Sequence, residues 1–175
     1  MSNLLQGLNI YLIGMMGSGK TTIGNHLAQS LNYRFIDTDQ TIEAIAKQPV
    51  SAIFAESGEA SFRELETKVL AELSVYTRAV IATGGGIIGQ QRNWSYLRQG
   101  LIVWLDVDLE ILKKRVAQDA TRPLAAKLES LLEARRPLYA QADIQIKVSS
   151  ASEASPEELA AQIMETIPTV LKSQV

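Results

Sequence analysis

Gly14-Met15-Met16-Gly17-Ser18-Gly19-Lys20-Thr21 satisfies the pattern G-x-x-x-x-G-K-[ST] at every position. The stretch follows a short β-forming run, Asn9-Ile10-Tyr11-Leu12-Ile13. It opens a helical pattern over 21–31 in which Ile23, Leu27 and Leu31 share one face. A strand, a glycine-rich turn and a helix in that order form a cradle for an anion. Glycines let successive backbone N–H groups turn inward, and the helix start adds the positive end of its dipole. Lys20 supplies a mobile charge for the outer phosphates of a nucleoside triphosphate, and the Thr21 hydroxyl is a ligand for Mg²⁺. The expected nucleotide contacts are Gly14, Met16, Gly17, Ser18, Gly19, Lys20, Thr21 and Thr22.

Outward from this loop, apolar runs alternate with helical patterns. Arg34-Phe35-Ile36-Asp37, Ala79-Val80-Ile81-Ala82-Thr83 and Leu101-Ile102-Val103-Trp104-Leu105 are near-continuous runs, as in parallel strands covered on both faces. Ile144-Gln145-Ile146-Lys147-Val148 alternates and reads as an edge strand. Helical patterns run over 59–75 and 109–118. A last helix starts at a capping box, with Ser155 as N-cap, Pro156 in the first turn and Glu158 reaching back. The alternation predicts an α/β protein with a parallel sheet and its ligand site at the carboxyl ends of the strands.

The chain has 175 residues, 46% apolar and 21% charged, which suits one compact domain. Seventeen basic against nineteen acidic side chains leave a formal charge of −2, so no net field draws nucleic acid or anionic lipid. The absence of cysteine removes thiol catalysis and disulfides. No basic leader and no long apolar stretch are present, and the expectation is a soluble cytoplasmic protein without nucleic-acid or membrane partners. His26 reads as a surface residue, and Trp94 and Trp104 as packing residues.

A guanine-nucleotide switch would need an Asp-x-x-Gly segment and an Asn/Thr-Lys-x-Asp segment, and neither occurs. A small phosphotransferase needs a second site beside the γ-phosphate, and three clusters supply it. Asp37-Thr38-Asp39 ends the second strand, where alternation along an extended chain would aim both acids at one crevice. Asp39 as a helix N-cap is the competing reading. Gly84-Gly85-Gly86 ends the third strand, as if backbone must approach a ligand closely. Arg63, Arg122 and Arg135 flank the crevice and suit a carboxylate-bearing acceptor, because a guanidinium grips a carboxylate through two parallel bonds. Asp106, after the fourth run, reads as the cap of the helix that follows it.

Taken in order, these segments resemble the shikimate kinase family, from about residue 9 to residue 139. They are the P-loop, Phe-Ile-Asp-Thr-Asp, Ile-Phe-x-x-x-Gly-Glu-x-x-Phe-Arg-x-x-Glu, Thr-Gly-Gly-Gly, Arg-Pro-Leu and Arg-Arg-Pro-Leu-Tyr. The resemblance implies transfer of the γ-phosphate of ATP to the 3-hydroxyl of shikimate. It also implies a three-layer α/β/α fold with a five-stranded parallel sheet in the order 2-3-1-4-5, as in nucleoside monophosphate kinases, and a monomer. On that basis Lys20 contacts the β- and γ-phosphates, and Thr21 ligates Mg²⁺ with Asp37 nearby. Asp39 meets the acceptor hydroxyls as candidate base. Arg63 and Arg135 clamp the acceptor carboxylate, and the Gly84–Gly86 backbone packs on its ring. Arg115 stacks on adenine. Arg122 rides on a lid of about 117–127, and the acceptor-binding segment is about 38–66. Two rivals stand beside this reading: a kinase for another small acid such as gluconate, which would not need both Arg63 and Arg135, and a nucleotide-binding regulator without transfer activity.

Overall fold

A computed structural model describes residues 5–117, 127–149 and 154–172. Five strands form one parallel sheet: β1 (Ile10–Ile13), β2 (Arg34–Asp37), β3 (Ala79–Ala82), β4 (Leu101–Val107) and β5 (Ile144–Val148). Their spatial order is β2-β3-β1-β4-β5, as the family resemblance implied. The order follows from burial. The apolar runs of β1, β3 and β4 are buried at every position and fill the centre. In β5 buried and exposed residues alternate, as its sequence pattern required. The sequence reading grouped β2 with the covered central strands, but β2 lies on the other edge. Phe35 and Ile36 are only half-buried there.

Helices cover both faces. Helix α1 (Lys20–Leu31) lays Ile23, Leu27, Ala28 and Leu31 on the sheet. A Cβ on Gly24 would come within 2.6 Å of the Phe35 ring and 3.0 Å of Leu12, so the helix packs against the strands at Gly24 without a side chain between them. Helix α2 (Thr38–Ala46) leads into α3 (Val50–Ser74), which bends at Gly58 (φ 78°, ψ 169°), a backbone state that favours glycine. The apolar pattern located the half after the bend, with Phe62, Val69, Leu70 and Leu73 buried. Helix α4 (Asn93–Leu97), α5 (Leu109–Ala117), α6 (Leu128–Tyr139) and α7 (Pro156–Lys172) complete the described layers.

The start of α7 is the expected capping box: the Ser155 N–H donates to Glu158 Oε2 at 2.7 Å, and the Glu158 N–H donates to Ser155 Oγ at 3.2 Å. Those bonds hold the Glu158 carboxyl below its usual range. Trp94 and Trp104 are buried, as expected. His26 is half-buried, with Nδ1 3.6 Å from Glu157 of α7. Among the described residues no helix is long and apolar enough to cross a membrane.

The expected cap at Asp106 is corrected. Strand β4 runs on to Val107, so Asp106 lies within it, and α5 starts from Asp108, whose carbonyl accepts from the Ile111 and Leu112 N–H groups. The buried Asp106 carboxylate instead accepts from Arg136 Nη1 (3.2 Å) and Gln145 Nε2 (2.8 Å). It fastens α6 and β5 to β4.

Candidate active site

Strand β1 delivers the chain into the glycine loop at its carboxyl end. Gly19 holds φ 92° as N-cap of α1, and the Ile23 N–H closes the first helical turn on its carbonyl at 2.9 Å. Lys20 curls back over the loop. Its Nζ donates to the carbonyls of Gly14 (2.9 Å) and Met15 (2.8 Å) and to Ser18 Oγ (3.2 Å). The ammonium is therefore held in the concavity where a phosphate would replace neutral oxygens with charged ones. Thr21 Oγ1 donates to Asp37 Oδ2 at 2.8 Å, which joins the helix start to the end of β2.

Asp37, not Asp39, is the N-cap of α2. Its Oδ1 accepts from the N–H groups of Asp39 (3.0 Å) and Gln40 (3.3 Å). Both acids line the same cavity, as expected, but for another reason. The extended chain stops at Asp37, and Asp39 enters the cavity from the first turn of a helix.

The side of the cavity around the Gly84–Gly86 turn is built from side chains of distant elements. The Gly84 N–H donates to Thr38 Oγ1 at 3.0 Å, so the glycine turn after β3 is pinned to the start of α2. A Cβ on Gly84 would collide with Glu66 Oε1 and lie 2.9 Å from Asp39 Oδ1, and one on Gly86 would collide with the Arg63 guanidinium. The turn is glycine because charged groups press against it. Arg63 is nearly buried and donates to Glu66 Oε2 (2.8 Å) and Glu59 Oε1 (3.1 Å). Its guanidinium lies 5.3 Å from the Phe62 ring centroid and 6.0 Å from that of Phe54. Burial lowers its pKa, but the Glu66 and Glu59 carboxylates outweigh that and hold it above its ordinary value. Glu66 is fully buried. Desolvation pushes its carboxyl up, Arg63 and Arg135 oppose this, and Asp39 adds to it. Glu66 Oε1 has no hydrogen-bond partner among the described residues.

Arg135 reaches the same cavity from α6, one turn before the helix ends. Tyr139, one turn on, donates its hydroxyl hydrogen to the Gly85 carbonyl at 2.6 Å. On the opposite flank Arg115 Nη1 donates to the Gly17 carbonyl at 3.1 Å, and Ala154, Pro156 and Leu159 form the wall beyond. Arg122 and the lid residues 118–126 lie outside the described residues. One cavity of about 920 Å³ is lined by Lys20, Thr21, Asp37, Asp39, Arg63, Gly84, Gly85, Gly86, Arg115 and Arg135. Lys20 of the glycine loop, Arg63 and Arg135 thus line one cavity.

The shikimate kinase family model matches residues 16–168. The chain belongs to the shikimate kinase family. A shikimate kinase of Trichormus variabilis is 56% identical over 98% of this chain and 97% of its own length, and one of Nostoc sp. is 54% identical over the same shares. A solved shikimate kinase from Acinetobacter baumannii, in complex with shikimate, matches with a TM-score of 0.90 at 38% identity, covering 97% of this chain and 98% of that one.

Within this shikimate kinase framework, residue-by-residue reading left several side chains without a role. Glu66 and Glu59 stand three and four residues from Arg63, the helical spacing at which charges meet, and that spacing was a usable signal. Phe54 and Tyr139 sit in the segments that carry the family resemblance, but only the tertiary fold brings Phe54 to the cavity and the Tyr139 hydroxyl to Gly85.

Proposed function

We propose that this chain transfers the γ-phosphate of ATP to the 3-hydroxyl of shikimate, giving ADP and shikimate 3-phosphate. The observation that carries the reading is the shared cavity, with Lys20 at one end and the Arg63–Glu66 and Arg135 cluster at the other. The transition state of phosphoryl transfer is loose, so positioning and charge neutralisation do most of the work. Lys20 leaves the carbonyls of Gly14 and Met15 for the β- and γ-phosphates. Arg63 and Arg135 grip the acceptor carboxylate through paired N–H groups, and the ring lies on the Gly84–Gly86 backbone. Asp39 receives the hydroxyl proton as the bond to phosphorus forms. Arg115 stacks on adenine, and Arg122 closes over the phosphates and keeps water out.

The donors present suit Mg²⁺. Thr21 spends its hydrogen on Asp37 and keeps its lone pairs, so a hydroxyl oxygen and a carboxylate stand side by side. Mg²⁺ takes one or two protein oxygens and completes its shell with water and phosphates. Thr21 and Asp37 would hold the ion, which would neutralise charge on the β- and γ-oxygens. The proposed setting is a cytoplasmic monomer acting on a small molecule.

A coupled ADP-release assay against shikimate, quinate, gluconate and nucleoside monophosphates, with and without Mg²⁺, tests the reading. Turnover confined to shikimate and dependent on Mg²⁺ is expected. Faster turnover with gluconate or a nucleotide would overturn it.

A further inference from the structure

Tyr139 has no part in the chemistry above, yet its hydroxyl bonds the glycine turn that lines the cavity. The side chain is fully buried. A phenol has one hydrogen, and here it goes to the Gly85 carbonyl at 2.6 Å. Arg135 lines the cavity one turn earlier on the same helix. Burial pushes the phenol up to about 12, against the nearby charge of Arg135, so the hydrogen stays on through the neutral range. Met15 Sδ lies 3.6 Å from the same hydroxyl, which adds a contact with the glycine loop.

The ring is held as firmly as the hydroxyl. It stacks on Trp104 of β4 with centroids 5.8 Å apart and planes 19° from parallel. The Arg136 guanidinium lies 5.7 Å from the Trp104 centroid and is tied to Asp106 at 3.2 Å. Neighbouring residues on α6 therefore divide the work. Arg136 anchors the helix to β4, and Arg135 faces the cavity.

We propose that Tyr139 is a positioning residue for the acceptor: its hydroxyl ties the Gly84–Gly86 turn to the end of α6, so that Arg135, one turn earlier on that helix, and the backbone under the acceptor ring keep one register. The inference rests on the reading that Arg135 binds the acceptor carboxylate, and it deepens that reading by naming what aims the arginine. Tyr139→Phe keeps the stacked ring and removes only the tie.

Steady-state kinetics of the wild type, Tyr139→Phe, Arg135→Ala and the double variant test it, with thermal unfolding to check that each folds. Tyr139→Phe is expected to raise the KM for shikimate about fivefold, the size of one neutral hydrogen bond, with kcat and the KM for ATP within about twofold. Added to Arg135→Ala, it should change the shikimate KM by less than about twofold, because the group it aims is gone. Equal damage to both KM values, or full additivity in the double variant, would mean that the tyrosine only packs and would overturn the inference. If Arg135→Ala raises the shikimate KM and Tyr139→Phe does not, the inference fails alone. If Arg135→Ala itself leaves that KM unchanged, the clamp reading falls and takes the inference with it. Should Tyr139→Phe not fold, Trp104→Phe loosens the same ring. A selective rise in shikimate KM then supports the inference, and an unchanged value overturns it.

Discussion

The two ends of the cavity, proposed above to take phosphate and acceptor, are made in different ways. The phosphate end is main chain: loop carbonyls, a helix start and one lysine, all within residues 14–21. The acceptor end is side chain. Arg63 and Glu66 come from α3, Asp39 from α2 and Arg135 from α6, all closing on a turn that must be glycine to leave them room. A main-chain site can be moved intact between proteins and suits any triphosphate. A side-chain site assembled from distant elements is bound to one acceptor, and specificity therefore belongs at this end.

Substitutions at each end should fail differently. Lys20→Ala is expected to do the most harm, lowering kcat about a thousandfold, since it deletes the fixed charge beside the transferring group. Single-turnover rates at saturating ATP and shikimate check this, and a loss confined to the ATP KM would break the comparison. Asp39→Asn comes next. A drop in kcat of about a hundredfold is expected, with ATP binding by calorimetry unchanged, because proton removal is a transition-state task. Near-normal turnover would take Asp39 out of the acceptor end. Arg63→Lys is smaller again, raising the shikimate KM about tenfold with the ATP KM unchanged, as a lysine cannot reproduce the planar fork. Equal damage to both substrates would mean that the cavity's two ends are not separable.

The same contrast explains what could be read from sequence. The phosphate end is contiguous, so one eight-residue pattern located it; the strand order came from the family resemblance, while the apolar runs alone misplaced β2 among the central strands. The acceptor end depends on contacts between residues far apart in the chain. Arg63 was legible as a candidate, and helical spacing pointed to Glu59 and Glu66 beside it, but the reason for Gly84 and Gly86 emerged only when α3 met the glycine turn. Helix α2 escaped the pattern because its nine residues bury only Thr38 and Ile42. That omission made Asp37 and Asp39 look like alternating strand residues. Asp106 was misread for a related reason: a strand two residues longer than its apolar run moved the helix start to Asp108.

The subtlest difference between the ends lies in what each does to stability. At the phosphate end the lysine donates to two loop carbonyls and the Ser18 hydroxyl. At the acceptor end a carboxylate is fully buried, and its pKa is raised by desolvation in spite of Arg63. The sign then follows from linkage. When the folded pKa exceeds the unfolded one, the folded state binds more protons between the two values, so stability falls as pH rises from the ordinary carboxylate value of 4.5 through the raised one. Ionised Glu66 is thus a stability cost at neutral pH, retained because it aims Arg63. Glu66→Gln keeps the shape and removes the titration. Its Tm relative to wild type should become more favourable as pH is raised from about 5 to about 8, while its shikimate KM rises because a neutral amide holds the guanidinium less firmly. Thermal unfolding across that range checks the first half and kinetics the second. A variant that loses more stability at the higher pH would show that the ion pair outweighs desolvation. The acceptor end would then stabilise the fold as well as select the substrate.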